Sequence, residues 1–227
     1  MHNLLDFSQT QLRQWVLDQG WKPFRAKQIW QWIWQKGWTD FSLLSDLNKP
    51  LRSRLLVFFD PRPPRIYTVR RSEDGTVKFL LEVGGGDLIE TVLIPEGDHY
   101  TQCLSSQVGC PLACTFCSTG RMGFTRNLSS GEILGQILVA REYLARHEDS
   151  LPLRNLVFMG MGEPLLNWRQ VEKALHVIRD DAGLGFSYRR TTLSTVGVPV
   201  PLRRFAETGL GSLAVSLHAP NQELRAK

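Results

Sequence analysis

The residues with the most obvious chemistry are four cysteines confined to fifteen positions: Cys103, Cys110, Cys114 and Cys117. They are the only cysteines in 227 residues. Thiols this few and this close cannot staple distant parts of a fold, so they point to metal or redox chemistry, not a disulfide scaffold. The core of the group is Cys110-Pro-Leu-Ala-Cys114-Thr-Phe-Cys117, a C-x3-C-x2-C spacing. Structural zinc closes with four ligands, usually as two short pairs well apart in sequence. Here no second pair exists, and Cys103 supplies a fourth ligand only if the strand-like stretch 101–106 folds back. Iron–sulfur clusters normally take four cysteines. Three on one loop leave one iron with an open position that can bind and reduce a ligand.

Regular elements must hold this loop. From residue 101 the chain reads as strand, loop and helix in repetition. Residues 101–106 form a strand leading into the cysteines. Ser129-x-x-Glu132 is a capping box that opens a helix carrying Ile133, Leu134, Ile137, Leu138 and Leu144. Residues 156–159 are a buried strand, followed by a helix with Val171, Ala174, Leu175 and Ile178. Then come strand 191–195, helix 201–208 and a fourth strand, 213–217. This β/α alternation predicts a parallel sheet, whose ligands bind at the carboxyl ends of the strands. The cysteine loop and the segments 160–164, 196–198 and 218–220 all fall there. Asn221 is a good N-cap, yet the sequence ends six residues later at Lys227. A helix cut in its second turn buries no apolar face, so the chain reads as truncated.

Residues 1–60 read as a small, compact helical accessory domain. Ser8-x-x-Gln11 is a second capping box, with Leu12, Trp15 and Val16 on one face and Gly20 as a stop. Pro23 starts another helix with Ala26, Ile29, Trp30 and Ile33, ending at Gly37, and a third begins at Asn48 and carries Leu51 and Leu55. Six of the seven tryptophans lie in residues 15–38. Trp at helical spacing is the core of a small domain, though some of these rings, beside Lys22, Arg25, Lys27 and Lys36, are placed to face RNA. Residues 61–98 read as a linker, Pro61-Arg62-Pro63-Pro64, and an antiparallel extension of strands 66–71, 76–83 and 88–94. Residues 99–227 form the α/β core.

Hydrophobic residues make up 42% and charged residues 22%, which excludes a disordered chain. No apolar run approaches the ~18 residues of a membrane span, and the start has no secretory signal, so a soluble cytoplasmic monomer is expected. The net charge of +5 is concentrated at both ends of the chain, as a polyanionic partner would favour.

C-x3-C-x-aromatic-C, with Phe116 as the aromatic, resembles the signature of radical S-adenosylmethionine (SAM) enzymes. Ile89-Glu-Thr-Val92, Cys103-x-Ser-Ser-Gln-Val-Gly-Cys110, Gly123-Phe124-x-Arg-Asn-Leu128, Met159-Gly-Met-Gly-Glu-Pro-Leu165, Leu193-Ser-Thr195 and Ser216-Leu-His-Ala219 together resemble the RlmN/Cfr radical-SAM RNA methyltransferases along the whole chain. The tryptophan-rich helical start looks more like the RlmN branch, which modifies C2 of adenine, than the Cfr branch, which modifies C8. The resemblance implies a partial (β/α) radical-SAM barrel with about four of six units present. It implies a 4Fe-4S cluster, SAM, an electron donor such as a flavodoxin system, and methylation of 23S rRNA and of some tRNAs. Cys110, Cys114 and Cys117 match the cluster ligands. Gly162, Glu163, Ser194, Ser216, Leu217 and His218 match SAM contacts.

The chemistry implied by the resemblance explains why these parts are needed. C2 of adenine is electrophilic, so ordinary attack on a SAM methyl fails, but a radical can add to it. The cluster reduces SAM to a 5′-deoxyadenosyl radical, which takes hydrogen from a methyl group parked on a cysteine. A base must then remove the C2 proton, and a second thiol must attack the thioether sulfur and form a disulfide. Glu90 matches the base and Cys103 the releasing thiol. The methyl-carrying cysteine and a late SAM-contacting Asn of that family lie past Lys227, so this chain alone is expected not to complete methyl transfer. Arg121, Arg126, Arg189 and Arg190 are placed near the active face as RNA contacts. The alternatives are a Cfr-type C8 methyltransferase, another radical-SAM enzyme such as a glycyl-radical activator, and a non-enzymatic RNA-binding protein with zinc.

Overall fold

Strict alternation builds the central sheet. In β4 (Val77–Glu82), Val77, Phe79 and Leu81 are buried while Lys78, Leu80 and Glu82 are not. The same period runs through β5 (Leu88–Glu96) and β10 (Thr191–Thr195), as expected for strands with one covered and one open face. The computed structural model describes residues 1–37, 40–147 and 151–225; Trp38 and Lys227 lie outside them.

With β3 (Arg65–Arg71), β6 (His99–Cys103), β9 (Leu153–Phe158) and β11 (Ser212–Val215), these strands form one seven-stranded sheet in the order β11-β10-β9-β6-β5-β4-β3, while the short β1 (His2–Asn3) and β2 (Phe59–Asp60) pair parallel apart from it. β6, β9, β10 and β11 are parallel neighbours, and β5, β4 and β3 continue the sheet antiparallel. The expected parallel core and antiparallel extension therefore share one sheet. Register sorts the side chains. Val92 lies opposite Cys103, and Cys103 opposite Val157, which in turn faces Thr192. Glu90, Val92, Cys103, Val157, Thr192 and Ser194 consequently share the open, inner face.

The outer face is covered by α5 (Ser130–Arg146), which follows β8 (Phe124–Asn127), and by α6 (Trp168–Arg179). The Ser129 capping box is formed, with Ser129 Oγ accepting from Glu132 N and Glu132 Oε2 from Ser129 N. Residues 130–140 of α5 are all buried, because α5 lies between two layers. On one side it meets the sheet: Phe79 packs edge-on against Tyr143 at 4.9 Å, and Gln136 bonds both the N–H and C=O of Ser105.

On its other side α5 meets the helical start, α1 (Gln9–Asp18), α2 (Phe24–Trp34) and α3 (Lys49–Phe58). The Ser8–Gln11 capping box and the Asn48 cap are both present. Trp30, Trp32 and Trp34 are buried, and Trp15 and Trp21 pack against the same core, so these rings are core. Lys36 lies over the Trp32 ring, and Arg25 bonds Gln28 and the Asp46 carbonyl. Gly131 and Gly135, one helical turn apart, make the seam. A Cβ on Gly131 would stand 2.9 Å from Asp6 Oδ1, and one on Gly135 2.3 Å from Pro64 Cδ. The Asp6 carboxylate then reaches Gly131 N at 2.7 Å. Arg141 donates to the Trp34 carbonyl, and Trp30 Nε1 to Asp180.

Besides β9, which spans Leu153–Phe158 where 156–159 was expected, three core boundaries differ from the sequence reading. The first core strand is β6, ending at Cys103, because Ser105 and Ser106 leave the ladder to serve the loops beyond. The second is α7, which spans Pro199–Thr208 and starts earlier than 201 since proline is tolerated in a first helical turn. The last is β11, which stops at Val215, where the chain turns toward His218 (φ +56°). Asn221 does cap α8 (Gln222–Arg225), accepting from Leu224 N. Among the described residues no helix is long and apolar enough to cross a membrane.

Candidate active site at the carboxyl rim of the sheet

The cysteine loop is clamped at its base by a hairpin that the sequence reading did not contain. β7 (Gln107–Gly109) pairs antiparallel with β8, and Cys110 N donates to Gly123 O at 2.8 Å. Within the loop Cys117 N donates to Cys114 O, Ala113 takes a left-handed φ of +48°, and Arg121 bonds the Thr115 carbonyl. Cys110, Cys114 and Cys117 are all half-exposed free thiols. Burial pushes the Cys110 thiol up, and the sulfurs of Cys114 and Cys117 and the Glu163 carboxylate add to that. The three thiols and Glu163 thus share one electrostatic neighbourhood. Among the described residues no three His, Cys, Asp or Glu side chains converge as ligands of a single ion. A cluster that takes one thiolate per iron spreads its ligands more widely.

The neighbouring segment 160–164 is fixed by buried polar side chains. Ser105 Oγ donates to the Glu90 carbonyl and accepts from Met161 N. Gln107 accepts from Glu163 N and donates to Asn127. Asn167 donates to the carbonyls of Ser106 and Leu128. Gly162 has φ +96°, and a Cβ there would fall 2.5 Å from Gln107 Cβ, so only glycine fits. The Glu163 carboxylate accepts from Leu165 N (3.0 Å), Thr195 Oγ1 (2.6 Å) and Val196 N (3.0 Å). Most of its acceptor capacity is therefore spent tying the loops after β9 and β10 together.

Ser194, Ser216, Leu217 and His218 complete the rim. Ser194 Oγ and Ser216 Oγ are 3.4 Å apart, and Ser216 N donates to the Thr195 carbonyl. Leu217 is exposed, and the His218 ring lies 4.6 Å from that of Phe116 in the cysteine loop. That contact brings the first and last rim segments together.

Glu90 and Cys103 lie on the inner face. The Glu90 carboxylate is half-exposed and pairs with Lys78 Nζ at 3.0 Å. Cys103 lies deeper, and burial, then the charge of Glu96, pushes its thiol up. It stands apart from the trio, whose Cys110 responds to Cys114 and Cys117 but not to it.

The arginines divide. Arg121 is exposed on the rim, as expected. Arg126 is instead a structural tether: it pairs with Asp87 at 2.8 Å and Glu132 at 2.9 Å and bonds the Gly84 carbonyl. Arg189 and Arg190 immediately precede β10, so they sit at the amino end of the sheet, where Arg190 bonds Asn155. Their placement on the active face is overturned by strand direction.

Residues 104–227 match the family model of the radical SAM superfamily. The chain belongs to the radical SAM superfamily. Residues 2–58 match the model of the ribosomal RNA large subunit methyltransferase N-terminal domain, RlmN_N. A dual-specificity RNA methyltransferase RlmN of Solidesulfovibrio magneticus is 51% identical over 99% of this chain and 64% of its own length. The relative of that name from Lawsonia intracellularis is 48% identical over 90% of this chain and 59% of its own length. A radical SAM methyltransferase from Sphaerobacter thermophilus superimposes with a TM-score of 0.91 at 36% identity, covering 100% of this chain and 66% of that one. The chain spans about 64% of the length of the curated relatives it matches. The likeness bears out the family resemblance and the partial radical-SAM fold.

The superfamily's cofactors are a 4Fe-4S cluster and SAM, and the residues present fit them. Three half-exposed thiols on one clamped loop suit a cluster with one free iron, and the rim beside them offers hydroxyls, backbone and an open face for SAM. Polar residues of the loop framework went unassigned in the sequence. Ser105, Ser106 and Gln107 follow a strand as three consecutive polar residues, and that run was the available signal.

Proposed function

We propose that the protein is a radical-SAM RNA methyltransferase that modifies C2 of an adenine in 23S rRNA and in tRNA. The observation that carries this is placement: Glu90 and Cys103 share the inner sheet face, with Glu90 nearer the rim that bears the cysteine loop and Cys103 one same-face step deeper. The cluster and SAM, when bound, supply a one-electron route to a carbon that polar methyl transfer cannot reach. Cys110, Cys114 and Cys117 would hold the cluster. Gly162, Ser194, Ser216, Leu217 and His218 would contact SAM, with Glu163 contributing chiefly by fixing the loops.

Glu90 accepts the C2 proton, and Lys78, 3.0 Å away, positions its carboxylate. Cys103 attacks the sulfur of the thioether that links the carrier cysteine to the base; a sulfur–sulfur bond replaces the sulfur–carbon bond, and the bonding pair leaves with the carbon, which takes up a proton to become the methyl group. All four cysteines of the chain are then assigned, and the carrier thiol is not among them. The helical start with its charged surface is read as an accessory RNA-binding domain.

Anaerobic reconstitution with iron and sulfide tests the reading. The expected result is a brown protein that cleaves SAM on reduction but leaves an adenine-containing rRNA hairpin unmethylated. A colourless tetrahedral zinc protein would overturn the cluster, and a methylated hairpin would overturn the two-thiol scheme.

A further inference from the structure

A chain of clefts runs down the back of the molecule, away from the cysteines. The first, about 340 Å³, starts beside Leu166 and Asn167 at the rim. It meets a second of about 300 Å³ and a third of about 640 Å³ between α6 and the start of α1. Arg169 lines all three. α6 follows β9 and runs antiparallel to it, so the trench descends from rim to floor over about 18 Å.

Its nitrogen-bearing side chains are ordered along α6. Arg169, Lys173 and His176 recur at helical spacing on the cleft side, and Arg179 stands at the far end. The side chains of Arg169 and His176 make no hydrogen bond or ion pair among the described residues. Lys173 donates to the Asp6 carbonyl, not to a carboxylate. Two acids line the trench. Glu172 and Asp180 are its countercharges, and Asp180 also accepts from Trp30 Nε1 and Ala182 N. The opposite wall is neutral and polar, formed by Ser8, Gln9 and Thr10.

We infer that this trench holds the sugar–phosphate strand of the RNA flanking the target adenine. Arg169, Lys173 and Arg179 along one wall, with the His176 ring among them, suit phosphates, and hydroxyl and amide groups on the other suit 2′-hydroxyls. The base must be extruded at the rim, so the flanking strand has to leave along some surface that begins there. The trench begins there. An acidic protein segment would use the cations but not the continuity with the rim. This inference rests on the RNA reading above, and its test separates the two.

A fluorescein-labelled RNA hairpin with an unpaired loop adenine is titrated with the full 227-residue chain across a KCl series, followed by anisotropy. The wild-type chain is expected to bind with salt-dependent affinity. Arg169→Glu combined with His176→Glu, at positions with no partner to lose, weakens binding about tenfold or more and flattens the salt slope by about one unit or more. Glu172→Gln tightens binding about two- to threefold. Thermal unfolding checks that the variants are folded; if the charge reversals fail to fold, Arg169→Gln serves in their place. Unchanged affinity in a folded variant overturns the trench alone. Absence of salt-dependent binding by the wild-type chain overturns the RNA reading as well. Equal competition by poly-aspartate reassigns the trench to acidic proteins and overturns the inference.

Discussion

The two faces of the seven-stranded sheet are made from alternate residues of the same strands, and they obey different physics. On the outer face Val77, Phe79, Leu81, Ile89, Leu93 and Leu193 are buried. On the inner face Lys78, Glu90, Cys103 and Ser194 are only half covered. The first face yields stability through area removed from water. The second forgoes that area, and keeps titratable groups accessible beside the loops that bear the cysteines. A one-residue slip of register would exchange the two sets, so the hydrophobic face is what aims the reactive one.

The sharpest way to break this comparison is at the cysteines, because their effect is all-or-none. Cys114→Ala is expected to abolish iron uptake on anaerobic reconstitution, whereas Cys103→Ala on the inner face leaves it intact. Iron and sulfide analysis with visible absorbance reads both. Loss of the chromophore in Cys103→Ala would bring Cys103 into the ligand set and close the open iron.

Next in size is a paired truncation across the sheet. Phe79→Ala removes a fully buried ring that packs on Tyr143 and should cost about 3–5 kcal/mol. Leu80→Ala, its neighbour on the inner face, should cost less than half of that, because Leu80 is only partly covered. Equal losses in chemical denaturation would mean that both faces are packed, and the division would fail.

The seam between α5 and the helical start gives a smaller effect. Gly135→Ala drives a Cβ to 2.3 Å from the Pro64 ring. Overpacking of this kind costs about 1–3 kcal/mol, with the loss expected to appear first as faster proteolysis in residues 1–64. Gly97→Ala is a poor control because of its positive φ, so Ala145→Ser on the exposed end of α5 serves instead, with little change expected.

What the sequence made legible follows from the range of the interactions. Caps and alternation are local, and Ser8, Asn48, Ser129 and Asn221 all behave as their neighbours dictate. The cysteine spacing is local too. The β7–β8 hairpin was not legible, because its strands are three and four residues long and separated by the cysteine loop itself. Nor was the fate of Arg126, whose carboxylate partners Asp87 and Glu132 lie 39 and 6 positions away. Arg189 and Arg190 were misplaced for a different reason. Proximity in sequence to Ser194 says nothing about which end of a strand a residue occupies, and a strand of five residues separates the two ends of the sheet.

The finest test lies within the inner face. Cys103 sits on β6 two residues beyond Thr101, whose hydroxyl donates to Glu96 at 2.6 Å. Burial raises the thiol's pKa and the Glu96 charge adds to it, so the thiolate forms only above the ordinary thiol range. Alkylation of Cys103 by iodoacetamide should therefore climb at higher pH than alkylation of a model thiol. In Glu96→Gln the negative charge is gone while a hydrogen-bond acceptor for Thr101 remains. The raising contribution of that charge disappears, and the alkylation curve moves to lower pH. Burial is untouched, so the curve should not return to the model-thiol position. A full return would make charge, not burial, the dominant cause, and would place Cys103 in water and not on the half-covered face that separates it from the cysteine loop.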